Sequence, residues 1–126
     1  MKVILSIKPE YAEKIFSGEK KFEFRRAIFK NQTVQNVIVY ASSPVQKVIG
    51  EFEIDKVLNL EKGLLWEETK AASGIDKKYY DAYFHDKDKG YAIKVKKVTK
   101  YDTPLELKRD YNIKVPPQSF MYFANN

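Results

Sequence analysis

Short segments of two-residue apolar periodicity constrain this chain most. From Lys2 to Lys8, Val3, Leu5 and Ile7 share one side, as in a half-buried strand. Val48, Gly50, Phe52 and Ile54 alternate with Lys47, Glu51, Glu53 and Asp55, a strand with one wet face. Tyr91, Ile93 and Val95 repeat the pattern against Ala92, Lys94 and Lys96, and Val37–Tyr40 reads as a central strand. Strands are also expected over Lys21–Arg26 and at Phe120–Phe123. Such short strands must associate with one another to bury their apolar sides, so a sheet is the framework.

Helical periodicity fills the gaps between strands. Pro9 suits a first helical turn, Tyr11, Ala12, Ile15 and Phe16 share a face, and Gly18 is a natural stop. Helices are expected over Leu64–Ala72, after the capping residue Asp76, and briefly over Pro104–Arg109. The order β-α-β-β-β-α-α-β-α-β has mostly local strand links, which favours an α+β fold over a doubly wound one. Five or six short strands suffice to curl into a small barrel. No repeat, linker or low-complexity tract divides the chain, so residues 1–126 are expected to form one domain.

Composition removes several functions. There is no cysteine, which excludes disulfides, thiolate metal sites and a cysteine nucleophile. The one histidine, His85, lies in the polar run 85–90, where an exposed loop is expected, and a zinc site lacks its ligands. No metal or cofactor is expected. The 85–90 run lacks the twelfth-position Glu of a calcium loop, and no Gly-rich phosphate loop or G-x-S-x-G elbow occurs. No apolar run approaches the roughly 20 residues of a membrane span, and Lys8, Glu10 and Glu13 interrupt any signal-like start. A cytoplasmic, membrane-free protein is expected. The net charge of +6 favours a polyanionic partner through counterion release. With nine tyrosines and eight phenylalanines beside that charge, RNA or another single-stranded nucleic acid is the expected partner.

The stretch Gly18–Arg25 concentrates the chemistry. Read as G-x-K-x-x-E-x-R, it sets Lys20, Glu23 and Arg25 at the entrance of a strand. Strand parity puts Glu23 and Arg25 on one face and Lys20 with Phe22 and Phe24 on the other, unless the turn after Gly18 redirects Lys20. Lys, Glu and Arg at a strand edge ordinarily form a solvated face with weak ion pairs. Lys8, Lys20, Arg25 and Arg26 are the best phosphate-binding set, with Arg25 or Arg26 as the two-pronged anchor. Ser42, Ser43 and Ser119 are the hydroxyl candidates, and a Lys20 of lowered pKa is a candidate base. The aromatic helix faces Tyr11/Phe16 and Tyr79/Tyr83/Phe84 suit base stacking, but core packing is their expected role.

Gly18, Lys20, Glu23 and Arg25 together resemble the signature of the ASCH family, a branch of the PUA-like superfamily. Leu5–Ala12 resembles the family's first strand and helix, Tyr40–Pro44 its second-strand turn, and Pro116–Phe120 the ending of its small prokaryotic members. The resemblance implies a PUA-like β-pseudobarrel with flanking helices, binding RNA or a nucleotide-like ligand in a basic cleft near the motif. Lys20 and Arg25 would then hold phosphate or a base oxygen. Glu23 would accept from an exocyclic amine or orient Lys20, and Tyr40, Ser42 and Ser119 would join the ligand-binding set. It also implies two enzyme alternatives, a ribonuclease and an amidohydrolase acting on modified cytidine, with Lys20 and Glu23 as acid/base groups. In the amidohydrolase branch a threonine follows the motif lysine by three residues, and here Glu23 stands in its place. A transcription-coregulator interaction module is the remaining alternative.

Overall fold

The computed structural model describes residues 1–124. The chain forms β1 (Lys2–Ile7), α1 (Pro9–Ser17), β2 (Phe22–Arg25), β3 (Asn36–Ala41), β4 (Lys47–Glu61), α2 (Lys62–Thr69), α3 (Lys77–Tyr83), β5 (Lys89–Leu105), α4 (Leu107–Tyr111) and β6 (Phe120–Phe123), with a 3₁₀ turn at Lys70–Ala72. The element order is the expected one, and the α+β class holds. The six strands make one mixed sheet in the order β2-β5-β4-β3-β1-β6. β1 and β3 run parallel, and every other neighbouring pair is antiparallel.

Two strands run well past their expected ends. β4 continues to Glu61 and β5 to Leu105, pairing along most of their length with irregularities near Val48, Phe52 and Ile54. A bulge inserts an unpaired residue and resets the alternation, which hides the extension from a period-2 reading. Pro104 therefore lies in β5, and α4 begins only at Leu107.

Three apolar clusters lie on the sheet. The first joins Val3, Leu5 and Ile7 with Val37, Val39 and Phe52, and α1 closes it with Ala12 and Ile15. The second holds α2 and α3 against Phe22, Phe24 and Ala92 through Leu65, Tyr80 and Phe84. The third seats Leu107 of α4 on Ile4, Ile38, Tyr40 and Val48. Burying each such large side chain contributes roughly 1.5–3 kcal/mol. No helix among the described residues is long and apolar enough to cross a membrane.

β2 and β6 are the sheet's two edges, and no ladder joins them. Side chains bridge this seam instead. Arg25 on β2 donates from Nη2 to the Ser6 carbonyl at 3.0 Å and from Nη1 to the Ser119 carbonyl at 3.3 Å. Tyr122 on β6 accepts at its hydroxyl from the backbone N–H groups of Lys30 and Asn31, both at 3.0 Å.

α1 packs tightly where β4 meets β5. A Cβ added at Gly50 would lie 2.5 Å from the Thr99 carbonyl oxygen and 2.6 Å from the Phe16 ring. Because one obstacle is backbone, Gly50→Ala is expected to destabilise the fold by about 1–3 kcal/mol, measured by urea denaturation. Unchanged stability would contradict this packing.

Candidate functional site

A cleft of about 230 Å³ opens at the seam, beside the free edge of β2. Ser6, Ile7, Lys8, Tyr11, Lys20, Glu23, Phe24, Arg25, Ile75, Tyr79, Tyr83 and Gln118 line it. The motif residues thus meet, although strand parity separates them. The reason is that Lys20 lies ahead of β2, in the turn after α1 with its N–H donating to the Lys14 carbonyl, where strand parity does not apply. Gly18, at φ +88, turns the chain sharply after α1 and ahead of Lys20.

Lys20 is only 2% exposed. Its Nζ donates to the Ser73 carbonyl at 2.8 Å and lies 4.7 Å from the Phe24 ring centroid and 5.6 Å from that of Tyr11. An ammonium has three donors, and one protein oxygen accepts from this one. Burial lowers the Lys20 pKa from 10.5 to about 8, against a smaller upward pull from Glu23, while Lys14 and Arg25 push it down further. The segment over Lys20 is docked by three bonds, from Lys20 Nζ to the Ser73 carbonyl, from the Lys21 N–H to the Ala72 carbonyl, and from Lys14 Nζ to the Gly74 carbonyl. Gly74 has φ +69, and a Cβ there would meet Cβ of Lys20 at 2.4 Å.

Glu23 and Arg25 are 7% and 9% exposed and form an ion pair at 3.0 Å between Oε2 and Nη2. Arg25 Nε is buried without a hydrogen-bond partner among the described residues. Opposite this pair stand three tyrosines. Tyr79 and Tyr83 stack with an interplanar angle of 10°, and Tyr11 tilts toward Tyr79 with centroids 5.4 Å apart. Asp76 caps α3 by accepting from the Tyr79 N–H at 2.8 Å, which fixes the helix that carries both rings. Lys8, at the N-cap of α1, lies over the Tyr79 ring at 5.1 Å. Burial pushes the Tyr11 hydroxyl up to about 12, with Tyr79, Glu10 and Asp76 adding to it, so the phenol stays protonated at neutral pH.

Other expected site residues lie elsewhere. Arg26 donates to the Tyr83 carbonyl and pairs with Asp86 at 2.8 Å, outside the lining. Tyr40 is 5% exposed and belongs to the third cluster. Ser42 sits in the turn after β3, its N–H donating to the Ile7 carbonyl. Ser119 contributes its carbonyl to Arg25, and its neighbour Gln118 lines the cleft in its stead. Tyr11, Tyr79 and Tyr83, expected as core, are half-buried along the cleft. Helical spacing puts residues on one face without telling whether that face meets a core or a cleft.

A wider groove of about 880 Å³ runs between the loop after β2 and strand β4. It sets Lys30, Lys56 and Lys96 against Glu53 and Asp55, and no motif residue reaches it. Among the described residues, no three His, Cys, Asp or Glu side chains converge as metal ligands.

The ASCH domain family model matches residues 5–109. The chain belongs to the ASCH domain family. This ASCH chain is 36% identical over 121 residues to the large ribosomal subunit protein uL22 of Ureaplasma parvum serovar 3, covering 95% of the chain and 38% of that protein. It is 33% identical to the ATP synthase subunit alpha of the same organism, spanning 15% of it. It therefore covers well under half the length of these relatives. The ASCH domain-containing ribonuclease of Zymomonas mobilis is 30% identical over 90 residues, which is 71% of the chain and 61% of that protein. The crystal structure of ASCH from Zymomonas mobilis superposes with a TM-score of 0.89 at 27% identity, covering 98% of this chain and 87% of that one. A serine-to-alanine variant of it gives 0.90 at 26% identity, over 98% and 88%.

The buried ammonium generates a sign-definite prediction. Between about pH 8 and 10.5 the unfolded chain holds the Lys20 proton while the folded chain releases it, so folding is favoured as pH rises. Each tenfold difference in proton affinity between the two states is worth about 1.4 kcal/mol. Relative to Lys20→Met, the unsubstituted chain is therefore expected to gain roughly 3 kcal/mol of unfolding free energy from pH 7 to pH 10.5. Denaturant titrations of both proteins across that range measure it. A difference that stays flat with pH would contradict a depressed Lys20.

Proposed function

We propose that this cleft binds single-stranded RNA, taking one unstacked nucleotide between the tyrosine face and the Lys20–Glu23–Arg25 group. One observation carries the reading. Three tyrosines and three cations, Lys8, Lys20 and Arg25, line a single small cleft that among the described residues holds one carboxylate, Glu23. Rings supply sequence-tolerant stacking worth roughly 1–3 kcal/mol per base, and cations supply the backbone attraction. The volume is below the roughly 300–1,000 Å³ of drug-sized sites, which suits one nucleotide of a longer chain. That a 30% identical relative carries the name ribonuclease supports RNA over other polyanions. Lys8, exposed at the mouth, meets phosphate. Lys20 offers its spare donors to a base or phosphate oxygen. Arg25, with both Nη groups engaged, supplies charge rather than a two-pronged grip.

A second reading, RNA cleavage, is favoured by one feature. A lysine with a pKa near 8 can exchange its proton near neutral pH, as a general acid or base must. Glu23, beside it, would tune that exchange. A modified-nucleoside hydrolase and a protein-interaction module are the readings that remain if RNA does not bind.

The test is fluorescence anisotropy with short single-stranded RNA between about 50 and 200 mM salt, followed by product analysis on a gel. Binding should weaken as salt rises. Lys8→Ala should reduce the slope of log K against log salt by about 0.7, the value of one phosphate contact on a single strand. Lys20→Met should lower any cleavage rate by about 10²–10⁴-fold. Binding that is undetectable at about 50 mM salt would remove the RNA reading. Binding without turnover by the unsubstituted chain would leave the binding module and exclude the nuclease.

A further inference from the structure

The C-terminal segment contributes to the cleft through a device that neither the motif nor the family match covers, since the match ends at residue 109. Pro117 and Ser119 are each tied to a different strand of the seam. The Pro117 carbonyl accepts from Ser6 Oγ on β1 at 2.7 Å. The Ser119 carbonyl accepts from Arg25 Nη1 on β2 at 3.3 Å. Pro117 is itself buried, and its ring fixes φ just before residue 118. Gln118 lies between these two anchors. Its backbone is pinned on both sides, yet its side chain is exposed, lines the cleft, and makes no hydrogen bond among the described residues. An unpartnered amide costs nothing in water, so folding alone does not require it there.

We propose that Gln118 is the specificity-determining residue of the cleft, its side-chain amide reading the edge of the nucleobase held there. The inference rests on the RNA reading above. Among the remaining polar groups of the lining, the hydroxyls of Ser6, Tyr11, Tyr79 and Tyr83 each donate and accept through one oxygen, and those of Ser6 and Tyr83 already donate to the carbonyls of Pro117 and Phe24. Lys20 and Arg25 only donate, and an ionised Glu23 only accepts. Gln118 offers a donor and an acceptor side by side. Every RNA base presents an adjacent donor and acceptor on its Watson–Crick edge, in one order on adenine and cytosine and in the reverse order on guanine and uracil. A donor–acceptor pair on a fixed backbone, beside a fixed donor in Lys20 and a fixed acceptor in Glu23, makes that order matter. The tyrosine rings cannot supply this discrimination, because every base has a stacking face.

The experiment compares four short single-stranded RNAs that differ only in one central base, binding to the unsubstituted chain, Gln118→Met and Gln118→Asn. Methionine keeps the length and removes both hydrogen-bonding atoms; asparagine keeps the amide on a shorter arm. The unsubstituted chain should prefer one base by about tenfold or more, the range of one good bidentate contact. Gln118→Met should bring the four affinities to within about twofold of one another while the weakest of them barely changes. Gln118→Asn should retain part of the preference. Circular dichroism and thermal melting should match across the three proteins, since the side chain is exposed. A preference that survives Gln118→Met, or no preference in the unsubstituted chain, would overturn the inference and leave RNA binding intact. Absence of binding to all four RNAs would overturn both.

Discussion

Arg25 is the side chain on which the rest of the site depends. The sheet has two free edges that face one another without a ladder, and a single guanidinium reaches from one to the carbonyls of Ser6 and Ser119 on the other side. A lysine would not reproduce this, because its three N–H groups radiate from one nitrogen, whereas the planar guanidinium reaches the two carbonyls from separate nitrogens. The ion pair with Glu23 adds charge balance more than net stability. Buried pairs roughly break even against apolar replacements, whereas loss of one partner costs about 3–5 kcal/mol. The seam therefore stays open as backbone and closed as side chain, and the cleft occupies that opening.

Lys20 shows the opposite relation to stability. A buried ammonium with one protein acceptor is a cost that the fold carries at neutral pH. The surroundings hold it in place anyway: Gly74 packs on its stem, the Ser73 carbonyl accepts a hydrogen bond from it, and the rings of Phe24 and Tyr11 offer their faces. Strained or desolvated groups of this kind concentrate where chemistry is done. The same residues explain why the 72–76 segment follows α2 so closely. It is the roof over Lys20, and its three bonds to Lys14, Lys20 and Lys21 couple the helical insertion to the motif.

The sequence made the element order legible because alternation, Pro9, Gly18 and Asp76 act locally. It also made Lys20, Glu23 and Arg25 legible as a group. What it hid follows from three physical facts. Bulges near Val48, Phe52 and Ile54 break the phase of β4 and β5, so their length could not be counted from period alone. Lys20 precedes β2, so the turn after Gly18 rather than strand parity aims it, and the residues of the turn do not say which way. An aromatic helix face reads the same whether it meets a core or a cleft, so Tyr79 and Tyr83 looked like Phe84, which is fully buried. Arg26 is the converse case: one step beyond Arg25 turns it away from the cleft, toward Asp86. Tyr40 pairs in register with Ser6, yet its ring packs in the cluster under α4.

The central claim is that the seam, and not the larger groove, receives RNA. Chemical-shift mapping with isotope-labelled protein and a short single-stranded RNA tests it most directly. The account predicts that the largest shifts fall on Lys8, Tyr11, Lys20, Tyr79, Tyr83 and Gln118. Shifts centred on Lys30, Lys56 and Lys96, with the seam residues unmoved, would contradict it.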